Sequence, residues 1–183
     1  THVSPGPGTH GPAYGAIDTY VEEQMCRLRV PGASLAIVEG DEIVHLRGFG
    51  RARPSGERPT PQTPFCIGSV TKSFTALLLL GLADEGRLDP GAPVSRYLPW
   101  FEVHSRFAPI RVEHLLTHTS GMGSYFTPRY QSASKTLFRA VEDYLPLFVD
   151  EPLLYQPGDR YSYSNSGFMV LGLIIERSSG QSY

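Results

Sequence analysis

Ser69 and Lys72 stand three residues apart in Phe65-Cys66-Ile67-Gly68-Ser69-Val70-Thr71-Lys72-Ser73-Phe74-Thr75, which runs into the apolar stretch Ala76 to Ala83. A serine hydroxyl is a poor nucleophile unless a neighbouring base takes its proton. At i and i+3 of one helix the two side chains share a face and can meet. The first turn of that helix offers free N–H groups and the positive end of the dipole, both suited to developing negative charge. A lysine starts near pKa ~10.4; burial against the leucine run is expected to lower it toward a useful base. The stretch therefore predicts a nucleophile and its activator in the first turn of a buried helix reaching about Glu85. The competing reading makes Ser69 a helix cap and lets Lys72 reach water.

Spacing alone does not decide, because Ser132-Ala133-Ser134-Lys135 repeats the pattern. That copy lies in a polar stretch ahead of Leu137-Phe138-Arg139-Ala140-Val141, where Ser132 or Ser134 would serve as an N-cap and Lys135 would stay solvated. Tyr163 and Asn165 form a second candidate pair, two residues apart in Arg160-Tyr161-Ser162-Tyr163-Ser164-Asn165-Ser166-Gly167. In an extended segment that spacing points both side chains the same way. A tyrosine hydroxyl near Lys72 can relay the proton of the serine, and an asparagine amide can hydrogen-bond the lysine and a substrate amide. Alternatively the tyrosine packs by its ring and the asparagine caps the next helix. His114 and His118, at i and i+4, have the spacing of two zinc ligands on a helix. The zinc motif also needs a glutamate directly after the first histidine, and Leu115 stands there. A hydrogen-bonded core histidine, and a second one favoured by the helix C-terminus, account for the pair without metal. No metal or other cofactor is expected.

Several elements must position these residues. Thr1 to Pro12, rich in Gly and Pro, reads as a flexible leader, and 13–183 as one domain portion. Tyr14 to Arg29 carries Ile17, Tyr20, Val21, Met25 and Leu28 at helical spacing, ended by Pro31-Gly32. Ala33 to Glu39 and Glu42 to Gly50 predict a hairpin turning at Gly40-Asp41. A Pro-rich loop, Arg51 to Thr63, delivers the chain to Ser69. Ile110 to Gly121 reads as a short helix stopped by Gly121, and Phe168 to Glu176 as a second strongly apolar helix.

At 183 residues, 40% hydrophobic and 19% charged, the chain has the composition of a globular protein with room for one real core. A net charge of −2 gives no basis for nucleic acid or an acidic membrane surface as partner. The longest apolar run is too short for a transmembrane helix, and no signal peptide is visible. Cys26 and Cys66 read as two small buried thiols rather than a disulfide.

Phe65 through Lys72, then His114-Leu115-Leu116-Thr117-His118-Thr119-Ser120-Gly121, then Tyr163-Ser164-Asn165 before an apolar helix, occur in one order. Together they resemble the serine β-lactamase-like family: class C β-lactamases, D-alanyl-D-alanine carboxypeptidases, penicillin-binding proteins and related esterases. The resemblance covers about Ile17 to Tyr183 and implies an α/β fold of α+β type, an antiparallel sheet flanked by helices plus a helical region. It also implies a serine hydrolase working through an acyl-enzyme on an ester, β-lactam or D-amino-acid amide, with a small or peptide-like acyl substrate. By that resemblance Ser69 is the nucleophile and gives half of the oxyanion hole through its N–H. Lys72 is the activating base, Tyr163 the partner in proton transfer and Asn165 a substrate-positioning amide. A periplasmic or secreted setting goes with the family. Glu151-Pro152-Leu153-Leu154 resembles the class A loop bearing a deacylating glutamate, but it precedes Tyr163 instead of following it, so no role is carried over. The family also has a third motif, Lys-Thr-Gly or His-x-Gly, on a strand beyond the second. None follows Asn165 here, so the C-terminal sheet strands are expected to be absent from this chain: either it is the N-terminal part of a longer domain, inactive without the third motif, or a complementing C-terminal segment comes from another chain. A non-catalytic penicillin-binding-like module is the alternative.

Overall fold

Gly40 and Asp41 connect two runs of β-favouring residues, and a two-residue hairpin turn needs positive φ at its centre; Gly40 supplies it with φ 59°. In the computed structural model, which describes residues 14–60, 62–101, 107 and 109–183, these runs form β1 (Gly32–Glu39) and β2 (Glu42–Gly50). They pair antiparallel from Gly32 opposite Gly50 to Glu39 opposite Glu42, with an irregularity between Ile37 and Val38. The expected leader, Thr1 to Pro12, lies outside the described residues.

The chain divides into two compact units, Thr1–Cys66 and Ile67–Tyr183. In the first, α1 (Gly15–Leu28) ends at Arg29, which takes a left-handed conformation just before Pro31. The predicted apolar stripe of this helix is not its buried face: Ile17, Tyr20 and Leu28 are exposed, while Asp18 is buried. The reason is an ion cluster. Asp18 lies 2.8 Å from His45 Nε2 and accepts from Arg47, which also donates to Glu22 at 2.7 Å. Burial works against the charge on Asp18, but the hydrogen bonds from Arg47 and His45 outweigh it and hold the carboxyl below its ordinary pKa.

The second unit is built around α5 (Asn165–Ser179), whose residues from Ser166 to Phe168 and from Val170 to Ile175 are all buried. It packs against α2 (Thr71–Asp84), α3 (Val112–Leu116) and the 3-10 segment Val141–Leu147. Leu79, Val94, Val112, Leu115, Leu171 and Ile174 make the centre of this core. A short helix, α4 (Pro128–Ser132), starts from Thr127, whose side chain accepts from the Tyr130 N–H.

Three further expectations need correcting. The helix after Ser69 is not buried all round: only Thr75, Leu79 and Leu82 are buried, while Phe74, Leu77, Leu78 and Leu80 are exposed. A helix apolar on every side needs cover on every side, and α5 covers one stripe. The helix around His114 stops at Leu116 rather than near Gly121, because His118 turns left-handed at φ 57°. Gly121 has φ 76° and a Cβ there would run into the Tyr155 carbonyl oxygen, so its role is to let the loop past that oxygen. Finally, Cys26 and Cys66 are free but exposed, not buried. Among the described residues no helix is long and apolar enough to cross a membrane.

Candidate active site

Ser69 sits in a 3-10 turn, Gly68–Val70, that feeds directly into α2. Gly68 takes φ 52° at the entry to that turn, a conformation that is costly for any residue with a Cβ. One turn on, Lys72 donates from Nζ to Ser69 Oγ at 3.1 Å and to Asn165 Oδ1 at 2.7 Å. Tyr163 donates from its hydroxyl to the same Ser69 Oγ at 2.7 Å. The four side chains expected from sequence are therefore brought together, although 94 positions separate Tyr163 from Ser69.

The second pair is carried in by a short extended segment. Ser164 has β-region angles, φ −130° and ψ 119°, so Tyr163 and Asn165 leave on one side and Ser164 on the other. Ser164 is buried, caps α5 by accepting from the Gly167 N–H at 3.2 Å, and donates to the Gly123 carbonyl at 3.2 Å. The cap of α5 is Ser164, not Asn165, which is the first helical residue. The signal was weak: Ser164, Asn165 and Ser166 are all cap-favouring residues, and the apolar run begins only at Phe168.

The surroundings of Lys72 also differ from expectation. Its ammonium lies 5.0 Å from the Tyr163 ring centroid and 5.5 Å from that of Phe168, so two aromatic faces flank it rather than the leucine run. Leu77, Leu78 and Leu80 are exposed, and Leu79, two turns on from Lys72, is buried in the core. Beside this ammonium, and through its contact with Ser69, the Tyr163 hydroxyl is held below the ordinary tyrosine pKa. Tyr163 remains exposed, so the group is open to a substrate.

The competing pair, Ser132 and Lys135, takes no part. Ser132 Oγ donates back to the Arg129 carbonyl at 3.2 Å. Lys135 is not simply solvated: it donates to the Tyr130 carbonyl and lies 3.6 Å over the Tyr130 ring centroid. The histidines also have protein partners. His114 Nδ1 accepts from the Arg111 N–H at 3.1 Å, and His118 Nδ1 from the Ser164 N–H at 3.1 Å. Among the described residues no group of three or more His, Cys, Asp or Glu is arranged to hold a metal ion.

Against known families, the Beta-lactamase model matches residues 17–183. This chain belongs to the Beta-lactamase family. Its relatives include Protein flp of Staphylococcus aureus (strain NCTC 8325 / PS 47), 34% identical over 170 residues that cover 91% of this chain and 34% of that protein. Teichoic acid D-alanine hydrolase of Staphylococcus aureus is 32% identical over 173 residues, 94% of this chain and 40% of the relative. Among solved structures, the octameric penicillin-binding protein homologue from Pyrococcus abyssi superposes with a TM-score of 0.81 at 33% identity, over 92% of this chain and 40% of that one. The chain thus spans well under half the length of these relatives. The fold is β-lactamase-like, with helices and, among the described residues, a partial antiparallel sheet of two strands.

Proposed function

We propose that this chain carries the nucleophile-bearing part of a serine hydrolase that works through an acyl-enzyme. The observation that supports this reading most directly is the convergence of Lys72 Nζ and Tyr163 OH on one serine oxygen, at 3.1 and 2.7 Å. Ser69 Oγ adds to an acyl carbonyl while its proton passes to the Tyr163–Lys72 pair. Collapse of the tetrahedral adduct breaks the bond to the leaving group, which takes that proton, and leaves an ester on Ser69. Water then attacks the ester, gives a proton to the same pair, and releases the acid with Ser69 restored. The Ser69 N–H, at the head of α2, supplies one donor to the developing oxyanion. Asn165, fixed to Lys72 and to the start of α5, orients both the lysine and an amide or ester of the substrate.

The substrate class is an ester, a β-lactam or a D-amino-acid amide. A relative named teichoic acid D-alanine hydrolase supports including D-alanyl groups among the acyl groups to try. The test is labelling of Ser69 by a fluorophosphonate or a penicillin probe. It is paired with turnover of p-nitrophenyl acetate, nitrocefin and a D-alanyl ester by the longest natural polypeptide containing this chain. Labelling that survives Ser69→Ala would sink the proposal. Labelling of Ser69 without turnover of any substrate would favour a penicillin-binding module.

A further inference from the structure

His118 takes no part in the proposed reaction, yet it accepts from the backbone N–H of the residue on either side of Tyr163. Its carbonyl accepts the Ser162 N–H at 2.8 Å, and its Nδ1 accepts the Ser164 N–H at 3.1 Å. Its ring lies 4.5 Å from the Tyr163 ring centroid, 5.1 Å from Phe168 and 5.7 Å, edge-on, from Tyr161. The left-handed backbone at φ 57° turns carbonyl and imidazole toward one segment. Few side chains accept that conformation; His, Asn and Asp are the enriched ones.

We infer that His118 is a positioning residue for Tyr163 and Asn165, acting as a neutral imidazole whose Nδ1 accepts the Ser164 amide. Its effect on turnover rests on the hydrolase reading; the hydrogen bond does not. An imidazole that accepts at Nδ1 carries its proton on Nε2. Protonation would put a hydrogen on Nδ1, break the contact with Ser164, and add a second cation beside Lys72. Among the described residues, the titratable groups facing the ring are Lys72 at the start of α2 and Tyr161 and Tyr163 on the extended segment; from α5 the ring meets Phe168. Burial, and then the Lys72 charge, push the proton affinity of His118 below that of an ordinary histidine, which keeps Nδ1 free at neutral pH. A loosened Ser162–Ser164 segment would carry the Tyr163 hydroxyl away from Ser69, and misplacement of about 1 Å can cost ~10²-fold in rate.

Two variants separate the parts of His118. His118→Asn keeps an acceptor in the Nδ1 position and tolerates positive φ, but cannot titrate. His118→Phe keeps a ring and loses the acceptor. The first readout is the imidazole nitrogen spectrum and the Ser164 amide shift by NMR, from about pH 5 to about pH 9. The Nε2–H tautomer is expected, and the Ser164 amide should move with the titration of His118. The second readout is the phosphonate labelling rate of Ser69 in the longest natural form. His118→Asn should label near the wild-type rate and lose the fall that accompanies His118 protonation; His118→Phe should slow by about tenfold to a hundredfold. An Nδ1–H tautomer, a Ser164 amide indifferent to His118, or undiminished labelling in His118→Phe would each overturn the inference. If the wild type does not label at all, the hydrolase reading fails, and the NMR readout still decides the role of His118. If His118→Phe does not fold, the Asn variant and the spectra decide it.

Discussion

Ser69–Lys72 and Ser132–Lys135 have the same residues at the same spacing, and the molecule uses them in opposite ways. Around Ser69 the lysine, the tyrosine hydroxyl from 94 residues away and the asparagine amide all turn inward on one another. Around Ser132 every bond closes locally: the hydroxyl goes back to Arg129, and Lys135 folds over Tyr130, five residues before it. The lesson is that the spacing does not even secure a shared helical face: Ser132 ends α4, Ala133 and Ser134 are extended, and Lys135 begins a separate 3-10 turn. Whether such a pair can do chemistry depends on a distant element arriving opposite it, here the segment at the head of α5.

The comparison can be broken most decisively at the two serines. Ser69→Ala should abolish acyl transfer and probe labelling, and Lys72→Ala should cost nearly as much, at least about 10⁴-fold, since members of a catalytic unit are strongly non-additive. Ser132→Ala and Lys135→Ala should leave both rates unchanged. Equal losses at the two sites, read by labelling kinetics, would erase the distinction.

Next in size is Tyr163→Phe, expected to slow acylation by ~10²–10⁴-fold, the usual worth of general acid–base help. The pH dependence has a definite sign. Because the folded protein holds the Tyr163 hydroxyl below the reference pKa of 10.0, its phenolate forms at lower pH than that of a free tyrosine. Acylation should therefore rise with pH through a midpoint below that value, and the rise should vanish in Tyr163→Phe. A rise that persists in the variant would assign the limb to another group.

The smallest effect belongs to the silent pair. Lys135→Met removes a cation from the Tyr130 ring without touching Ser69. It should lower stability by about 0.5–1 kcal/mol, a shift of about 1–4 °C in Tm by calorimetry, with labelling intact.

Much of this was legible in the sequence wherever a local rule sufficed. The hairpin came from Gly40-Asp41 between β-favouring runs, and the direction of Tyr163 and Asn165 from a spacing of two. What escaped was set by tertiary partners. The leucines after Lys72 read as a buried surround, but a linear run does not say which stripe α5 will cover. The stripe on α1 read as apolar because Asp18 looks like a surface charge until His45 and Arg47 on β2 come to meet it. His118 read as the end of a helix; nothing before it in the chain announces a left-handed residue. Its partner Ser164 was only weakly readable as a cap beside Asn165 and Ser166, and the missed cap shifted the start of α5 from Phe168 to Asn165.

The near-continuous burial of α5 has a consequence for motion. Amides exchange with solvent through local openings, and those inside the best-packed helix open only with the whole unit. Asn165 is attached to such a helix, whereas Ser69 rides on a 3-10 turn ahead of a helix with an exposed side. Hydrogen–deuterium exchange should find Val170 to Ile174 among the slowest amides and Gly68 to Thr71 faster by orders of magnitude; equal protection would contradict this picture. The two halves of the site would then differ in compliance, with a stiff wall bearing the amide and a yielding one bearing the nucleophile. An incoming acyl group would be met by movement of the serine rather than of the asparagine.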